Sequence, residues 1–291
     1  MANKQTIKAA TVVISGASTG IGAACALKLA ARGTQVFAGV RNDADGEALR
    51  AKSAAITPLR IDVTDDTSIA AAVATVHAAT GEHGLGGLVN NAGIAVGGPL
   101  EVMPLSELRR QFDVNVFGAV AVTQAFLPLL RTARGRIVNI GSIAGRVALP
   151  FVGPYSMSKA ALASMTGSLR LELDAWGIDV SLVEPGAIAT PIWKKSTAAA
   201  DALQSTLQHD ALSLYREHLD CIRRVIAQAE QHAISADAVA NAVAHALTAP
   251  RPKTHYLVGT DAKFRAGMSA LLSQRLLDAL HRWFLGLPRR R

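Results

Sequence analysis

Tyr155 and Lys159 stand four residues apart in the run YSMSK, a spacing that puts both on one face of a helix. A phenol, with a reference pKa of about 10, is a poor base at neutral pH. A neighbouring ammonium favours the phenolate and brings it into range for proton transfer. Ser142 lies thirteen residues upstream of Tyr155, just past a short apolar run, where its hydroxyl can stand beside the phenol and hold a substrate oxygen. Asn115, in DVNVF, is a polar side chain inside a long helical stretch and must find a partner there. The Tyr155–Lys159 pair and Asn115 also have plainer readings: a surface pair and an asparagine that bends the backbone.

A second group of residues suits a dinucleotide. SGASTGIG, residues 15–22, follows a β-branched run and precedes an alanine-rich helical stretch. Glycines at such a turn let the backbone approach a pyrophosphate and let the helix aim its first amides at it. Gly16, Ser18, Thr19, Gly20, Ile21 and Gly22 are the candidates for that turn. The second strand, VFAGVRN, ends without an acid and with Arg41. An acid there would accept from the ribose of NAD and repel a 2′-phosphate, whereas a guanidinium pairs with that phosphate through two parallel bonds. NADP(H) is therefore the preferred cofactor and NAD(H) the secondary one, with Asp43 and Asp45 as rival partners for Arg41. Asp62, followed by Val63, can accept from an adenine amino group or cap a helix, a task for which Asp65 is better placed. Asn91, Ala92 and Gly93 of NNAG close the fourth strand, at the sheet end where ligands of open parallel sheets bind.

The elements that must position these residues follow from the alternation of patterns. Strands are expected at 11–15, 35–39, 56–61, 85–89, 136–140, 179–183 and 255–258, and helices at 21–31, 68–79, 105–130, 155–176 and 236–247. Buried strands alternating with helices give an α/β fold, a single Rossmann-type doubly wound parallel sheet with helices on both faces. Residues 191–235 are helical in character with no strand, an insertion near the ligand site. One catalytic domain is expected over 1–260, followed by an extension over 261–291.

The chain of 291 residues is 50% hydrophobic and 18% charged, enough to bury a large core. Its net charge is +8, but residues 251–291 hold nine basic and two acidic side chains, a net of +7. The body is thus nearly neutral and has no patch for nucleic acid. Cys25 and Cys221 are far apart and lack any metal-ligand spacing, so neither a disulfide framework nor a metal site is indicated and a reducing, cytoplasmic setting fits. No run of 18 or more apolar residues and no signal-peptide core stand out. In the extension, Phe264, Met268, Leu271, Leu272, Leu276 and Leu280 recur at three- and four-residue intervals, continued by Trp283, Phe284 and Leu287. Arg275, Arg282 and Arg289 to Arg291 stand among and after them. This is a basic amphipathic helix with two main readings, packing on the body or another subunit and peripheral attachment to an anionic membrane; nucleic-acid binding is the least favoured, because the charge is not joined to a stacking platform or recognition motif.

Taken in order and at their spacing, SGASTGIG, Asp62-Val63, NNAG, Asn115 in VNVFG, Ser142 with YSMSK, and Pro185-Gly186 with Thr190 resemble the short-chain dehydrogenase/reductase family over residues 8–260. VFAGVRN, EPGAIATPIW and the tail are similar to its branch of retinol, hydroxysteroid and 3-hydroxybutyrate dehydrogenases. The resemblance implies that Tyr155 is the acid in carbonyl reduction and the base in alcohol oxidation, that Ser142 holds the substrate oxygen, and that Lys159 binds the nicotinamide ribose and lowers the tyrosine pKa. It implies that Asn115 anchors a water chain to Lys159 and that Pro185, Gly186, Ile188 and Thr190 surround the nicotinamide. It also implies a homodimer or homotetramer, for which the long helices are the expected contact. Ile143, Val147, Leu149, Phe151 and Trp193 give the substrate region an apolar character, so a steroid-, retinoid- or aryl-carbonyl-like alcohol or ketone is expected. Arg146, Lys194 and Lys195 keep an acidic substrate open. Two rivals share these residues: a catalytically silent NADP(H)-binding regulator, and a membrane-surface lipid or steroid dehydrogenase.

Overall fold

Seven short runs rich in valine, isoleucine and leucine form one sheet: β1 (Thr11–Ile14), β2 (Gln35–Val40), β3 (Ile56–Arg60), β4 (Gly87–Asn90), β5 (Arg136–Ile140), β6 (Asp179–Pro185) and β7 (His255–Val258). The computed structural model describes residues 11–206 and 213–287; Arg289 to Arg291 and part of the expected insertion lie outside them. All neighbouring strands pair parallel, in the order β3-β2-β1-β4-β5-β6-β7. The strand bounds differ from those read in the sequence by at most two residues.

Both faces of the sheet are covered, which is why the strands read as nearly continuous apolar runs. In β1, Val12 and Ile14 point into one core with Cys25 and Leu29 of α1 (Gly20–Ala30) and Val239 and Val243 of the helix Ala236–Thr248. Val13 points into the other, with Ile69 and Val76 of α3 (Asp66–Thr80) and Val122 and Phe126 of α5 (Gly118–Ala133). Burial pushes the Cys25 thiol up to about 12, so it is an inert packing group.

The sequence pattern did not indicate α2 (Asp43–Arg50), which lies between β2 and β3. It is short and polar, with Leu49 as its one large apolar side chain; its signal is the Asn42 cap, whose side chain accepts from Asp45 N at 2.9 Å. The long helix expected at 105–130 is α4 (Leu105–Phe112), a single π-type turn (Asp113–Phe117) and α5 run together. Leu105–Ala133 is long and apolar enough to cross a membrane by length and composition, with a mean hydropathy of 1.4. Val122, Phe126 and Leu130 are wholly buried against the sheet, so it is a core-covering helix. After α6 (Gly153–Glu172) and β6 come α7 (Ile192–Thr206) and α8 (Arg216–Gln231) in the expected insertion, then α9 (Ala236–Thr248), and after β7 α10 (Thr260–Leu271) and α11 (Gln274–Leu285).

Candidate active site

From β1 the chain builds outward to β3, then crosses back to lay β4 on the other side of β1. The strand ends diverge at that reversal, and a cavity of about 910 Å³ opens there. Gly16, Ser18, Thr19, Gly20 and Ile21 form one end of it. Gly16 has φ 65° and a Cβ there would stand 2.7 Å from the Ala92 Cα, so no side chain fits between the turn and β4. Thr19 makes no side-chain cap bond to α1, whose first amides are left for an anion. This cradle fits a dinucleotide pyrophosphate.

The turn is held by the end of β4. Ser15 Oγ accepts from the backbone nitrogens of Asn91 and Ala92, both at 3.1 Å, and Asn91 Nδ2 donates to the carbonyls of Ser15 (3.0 Å) and Gly16 (2.8 Å). Asn91 and Gly93 line the cavity, but the Asn91 amide is spent on the turn. Gly22 is not part of the wall: a Cβ on it would overlap the Gly16 carbonyl and the Asn91 amide, so its contribution is to let α1 lie close under the turn.

Where β2 and β3 end, Arg41, Asp62 and Val63 line the cavity. Asp43 pairs with Arg60 at 3.6 Å and Asp45 accepts from Asn42 Nδ2 at 2.8 Å, so the acids that rivalled for Arg41 are engaged elsewhere. Asp62 Oδ1 accepts from Thr64 N (3.0 Å) and Thr64 Oγ1 (2.7 Å). Those bonds, aided by the Arg41 charge, hold its carboxyl below the ordinary value. Asp65 caps α3, accepting from Thr67 N and Ser68 N at 2.9 and 3.2 Å, as its position suggested.

Ser142 begins a one-turn helix (Ile143–Gly145) and accepts from Ala144 N at 3.1 Å, while its hydroxyl stands near enough to the Tyr155 phenol to favour the phenolate. Burial raises the Tyr155 pKa and the Ser142 hydroxyl opposes part of that rise. The expected lowering by Lys159 is not what the geometry gives. Lys159 Nζ stands 5.7 Å from the phenol ring centroid and spends a 2.6 Å hydrogen bond on the Ile140 carbonyl. Burial brings Lys159 itself down to about 8. The phenol is therefore a proton donor at neutral pH, shaped by burial first.

Asn115 sits in the π-type turn. Its Oδ1 accepts from Ile94 N (2.9 Å), and its Nδ2 donates to Ile94 O (3.0 Å) and Ser158 Oγ (3.1 Å). Ser158 Oγ in turn donates to the Tyr155 carbonyl at 2.7 Å. The amide ties the loop after β4 to the first turns of α6 and is not in the cavity wall, so a proton relay at this residue would need its main chain. Beneath lies a network that the sequence did not announce. Asn90 Nδ2 donates to Thr123 Oγ1 and Asn139 Oδ1, both at 2.8 Å, and Asn139 Nδ2 donates to Thr166 Oγ1 at 2.9 Å. It pins α5 and α6 to the strands below the site.

Ile143, Leu149, Phe151 and Trp193 line the end of the cavity beyond Ser142 and Tyr155, and Val147 is buried. Trp193 Nε1 donates to Ile188 O at 2.7 Å, which leaves the indole as apolar surface. Leu219, Ile222, Val225 and Ile226 of α8 complete that wall; within the expected insertion they form an i, i+3, i+6, i+7 stripe. Pro185, Gly186, Ile188 and Thr190 line the cavity beyond β6. Asp261 was missed in the sequence. Its carboxylate accepts from Ala187 N at 2.8 Å and occupies the space where a Cβ on Gly186 would go. Of the basic residues weighed for an acidic substrate, Lys195 lines the cavity, whereas Arg146 donates to Glu184 at 2.6 and 2.7 Å.

The sequence profile of the short chain dehydrogenases matches residues 10–201. The chain is 36% identical over 275 residues to an NADPH-dependent 3-dehydrocapnine reductase of Ornithobacterium rhinotracheale, covering 92% of this chain and 94% of that protein. It is also 36% identical over 292 residues to mouse retinol dehydrogenase 5, covering 96% and 90%. A short chain dehydrogenase from Burkholderia cenocepacia, solved in complex with NADP, superposes with a TM-score of 0.72 at 28% identity, covering 98% of this chain and 100% of that one.

Proposed function

The chain belongs to the short-chain dehydrogenase/reductase family of NAD(P)-dependent oxidoreductases, and from that premise we propose that it interconverts a hydrophobic alcohol and its carbonyl compound with a preference for NADP(H). The observation that carries this reading is one cavity running from the glycine turn, past Tyr155, Ser142 and Lys159, to an apolar wall. Gly16, Thr19, Ile21 and Asp62 would hold the cofactor, with Arg41 on the 2′-phosphate and Pro185, Ile188 and Thr190 near the nicotinamide. When bound, it supplies or accepts the hydride. Tyr155 gives its phenolic proton to the carbonyl oxygen in reduction and recovers it in oxidation, while the Ser142 hydroxyl holds the same oxygen. Lys159 binds ribose hydroxyls, and the Trp193 and α8 side chains exclude water from the reacting carbon.

The test is a panel of apolar ketones, aldehydes and alcohols assayed with both cofactors. Turnover is expected on steroid-, retinoid- or aryl-type carbonyls, and Tyr155→Phe is expected to abolish most of it while leaving NADPH affinity near that of the parent. Arg41→Ala is expected to raise KM for NADPH far more than for NADH; an equal effect on both would remove the phosphate contact. NADPH binding without turnover across the panel would favour a regulatory protein instead.

A second reading concerns location and assembly. Phe117 and Leu171, 61% and 76% exposed on the long helices, support a homodimer or homotetramer joined there. Trp283 and Phe284, 74% and 58% exposed in edge contact on α11, support seating of the basic tail on an anionic membrane surface.

A further inference from the structure

Arg146, Glu184 and His255 form a polar cluster just outside the cavity wall, and the chemistry above does not use it. Glu184 is 1% exposed, on β6 immediately before Pro185 and Gly186. Arg146 donates from Nε to Glu184 Oε1 at 2.6 Å and from Nη2 to Oε2 at 2.7 Å. His255 of β7 brings Nδ1 within 2.9 Å of both Glu184 Oε2 and Arg146 Nη2. A bidentate pair of this kind fixes orientation as well as distance.

What the pair joins gives it meaning. Arg146 closes the turn that starts at Ser142: its backbone nitrogen donates to Ile143 O, and Gly145 N donates to Ser142 O, both at 3.0 Å. A Cβ on Gly145 would stand 2.9 Å from the Lys159 backbone, so this turn is seated directly on α6. Glu184 begins the segment that passes the nicotinamide end of the cavity. The ion pair therefore links the hydroxyl that orients the substrate carbonyl to the loop that orients the hydride carrier. Stability alone is a poor reason for it, because a buried carboxylate pays a desolvation cost that its partner does little more than return.

We propose that the Arg146–Glu184 pair is a positioning device that fixes the spacing between Ser142 and the Pro185–Gly186 loop, and through it the approach of the carbonyl carbon to the nicotinamide. Arg146 and Glu184 are positioning residues, since neither lines the cavity. The inference rests on the oxidoreductase reading above.

Two variants test it, each measured for thermal midpoint, NADPH affinity, fluorescence of the bound nicotinamide, and the deuterium isotope effect on kcat with deuterated NADPH. Arg146→Met/Glu184→Leu replaces the pair by apolar groups of similar volume, an exchange that commonly leaves stability intact. Glu184→Gln is isosteric and keeps one acceptor for Arg146. Since misplacement by about 1 Å can cost about 100-fold in rate, the double variant is expected to melt near the parent and hold NADPH within about twofold, yet lose ~10- to 100-fold in kcat. Its isotope effect should rise and the bound nicotinamide should fluoresce less, with Glu184→Gln moving the same way. Parental fluorescence and isotope effect in folded molecules of both variants, whatever their melting points, would reduce the pair to a structural tie. A parent that binds NADPH but turns over no carbonyl would fail the functional reading, and the fluorescence comparison would still decide the positioning role.

Discussion

At the scale of single residues, the proton chemistry of the site is governed by burial. Tyr155 is pushed above its ordinary value and Lys159 is brought from 10.5 to about 8 by the same desolvation. The ammonium is thus present below pH of about 8 and lost above it, so carbonyl reduction is expected to slow as pH rises through that value. Lys159→Arg keeps a charge throughout and is expected to lack this falling limb, even with a lower absolute rate; a kcat profile in the reductive direction reads the difference. Stability carries the opposite sign. The unfolded chain keeps the lysine proton up to about 10.5, so between about 8 and that value it binds more protons than the folded chain. This residue's contribution then rises with pH, and below about 8 its penalty is constant. Lys159→Met removes that dependence, and a parent and variant with parallel stability curves across the interval would refute the burial argument.

At the scale of elements, the geometry distinguishes glycines that look alike in the sequence. Gly16 combines φ 65° with a neighbouring backbone atom 2.7 Å from its absent Cβ, whereas a Cβ on Gly167 in α6 meets nothing within 4 Å. Gly16→Ala is expected to destabilise by about 2 kcal/mol or more, from the left-handed backbone and the overpacking together, and to abolish NADPH binding. Gly167→Ala should instead stabilise by about 0.5–1 kcal/mol, since an alanine inside a helix loses less freedom on folding. Urea unfolding and an NADPH titration of both variants check the pair. The alternation of buried strands and helices made the sheet legible from the chain, because a strand covered on both faces leaves an unbroken apolar run. α2 was not legible, being eight residues with one large apolar side chain, Leu49. The glycine turn, Ser142, Tyr155 and Lys159 were legible because their types and spacing are local. Asp261 and the Arg146–Glu184 pair were not, because they gain meaning from strands that meet only in the folded sheet: β6 and β7 are neighbours in space but 69 residues separate Pro185 from His255 in the chain.

At the scale of the whole molecule, the charge is divided: a nearly neutral body and a basic end. That end is not simply an appendage. Ala262 and Ala266 of α10 pack with Ile143 beside the candidate site, and Asp261 holds the loop after β6. In α11, Leu277 and Leu285 are buried, while Leu276, Trp283 and Phe284 are exposed beside the basic Arg275 and Arg282 of the same helix. One face of this helix thus packs on the body and another offers apolar surface with positive charge. An anionic lipid surface complements both properties, since aromatic side chains enter the interface and arginines meet the headgroups. Removing the whole tail would disturb Asp261 and confuse location with catalysis, so the informative change is Trp283→Ser/Phe284→Ser on the intact chain. Co-sedimentation with vesicles containing phosphatidylserine should be strong for the parent, weak for the variant, and weakened for both by salt, with turnover of a water-soluble carbonyl unchanged. Binding equal in parent and variant would reject the membrane seat, and a loss of self-association in the variant would assign the same apolar surface to a second copy of the chain.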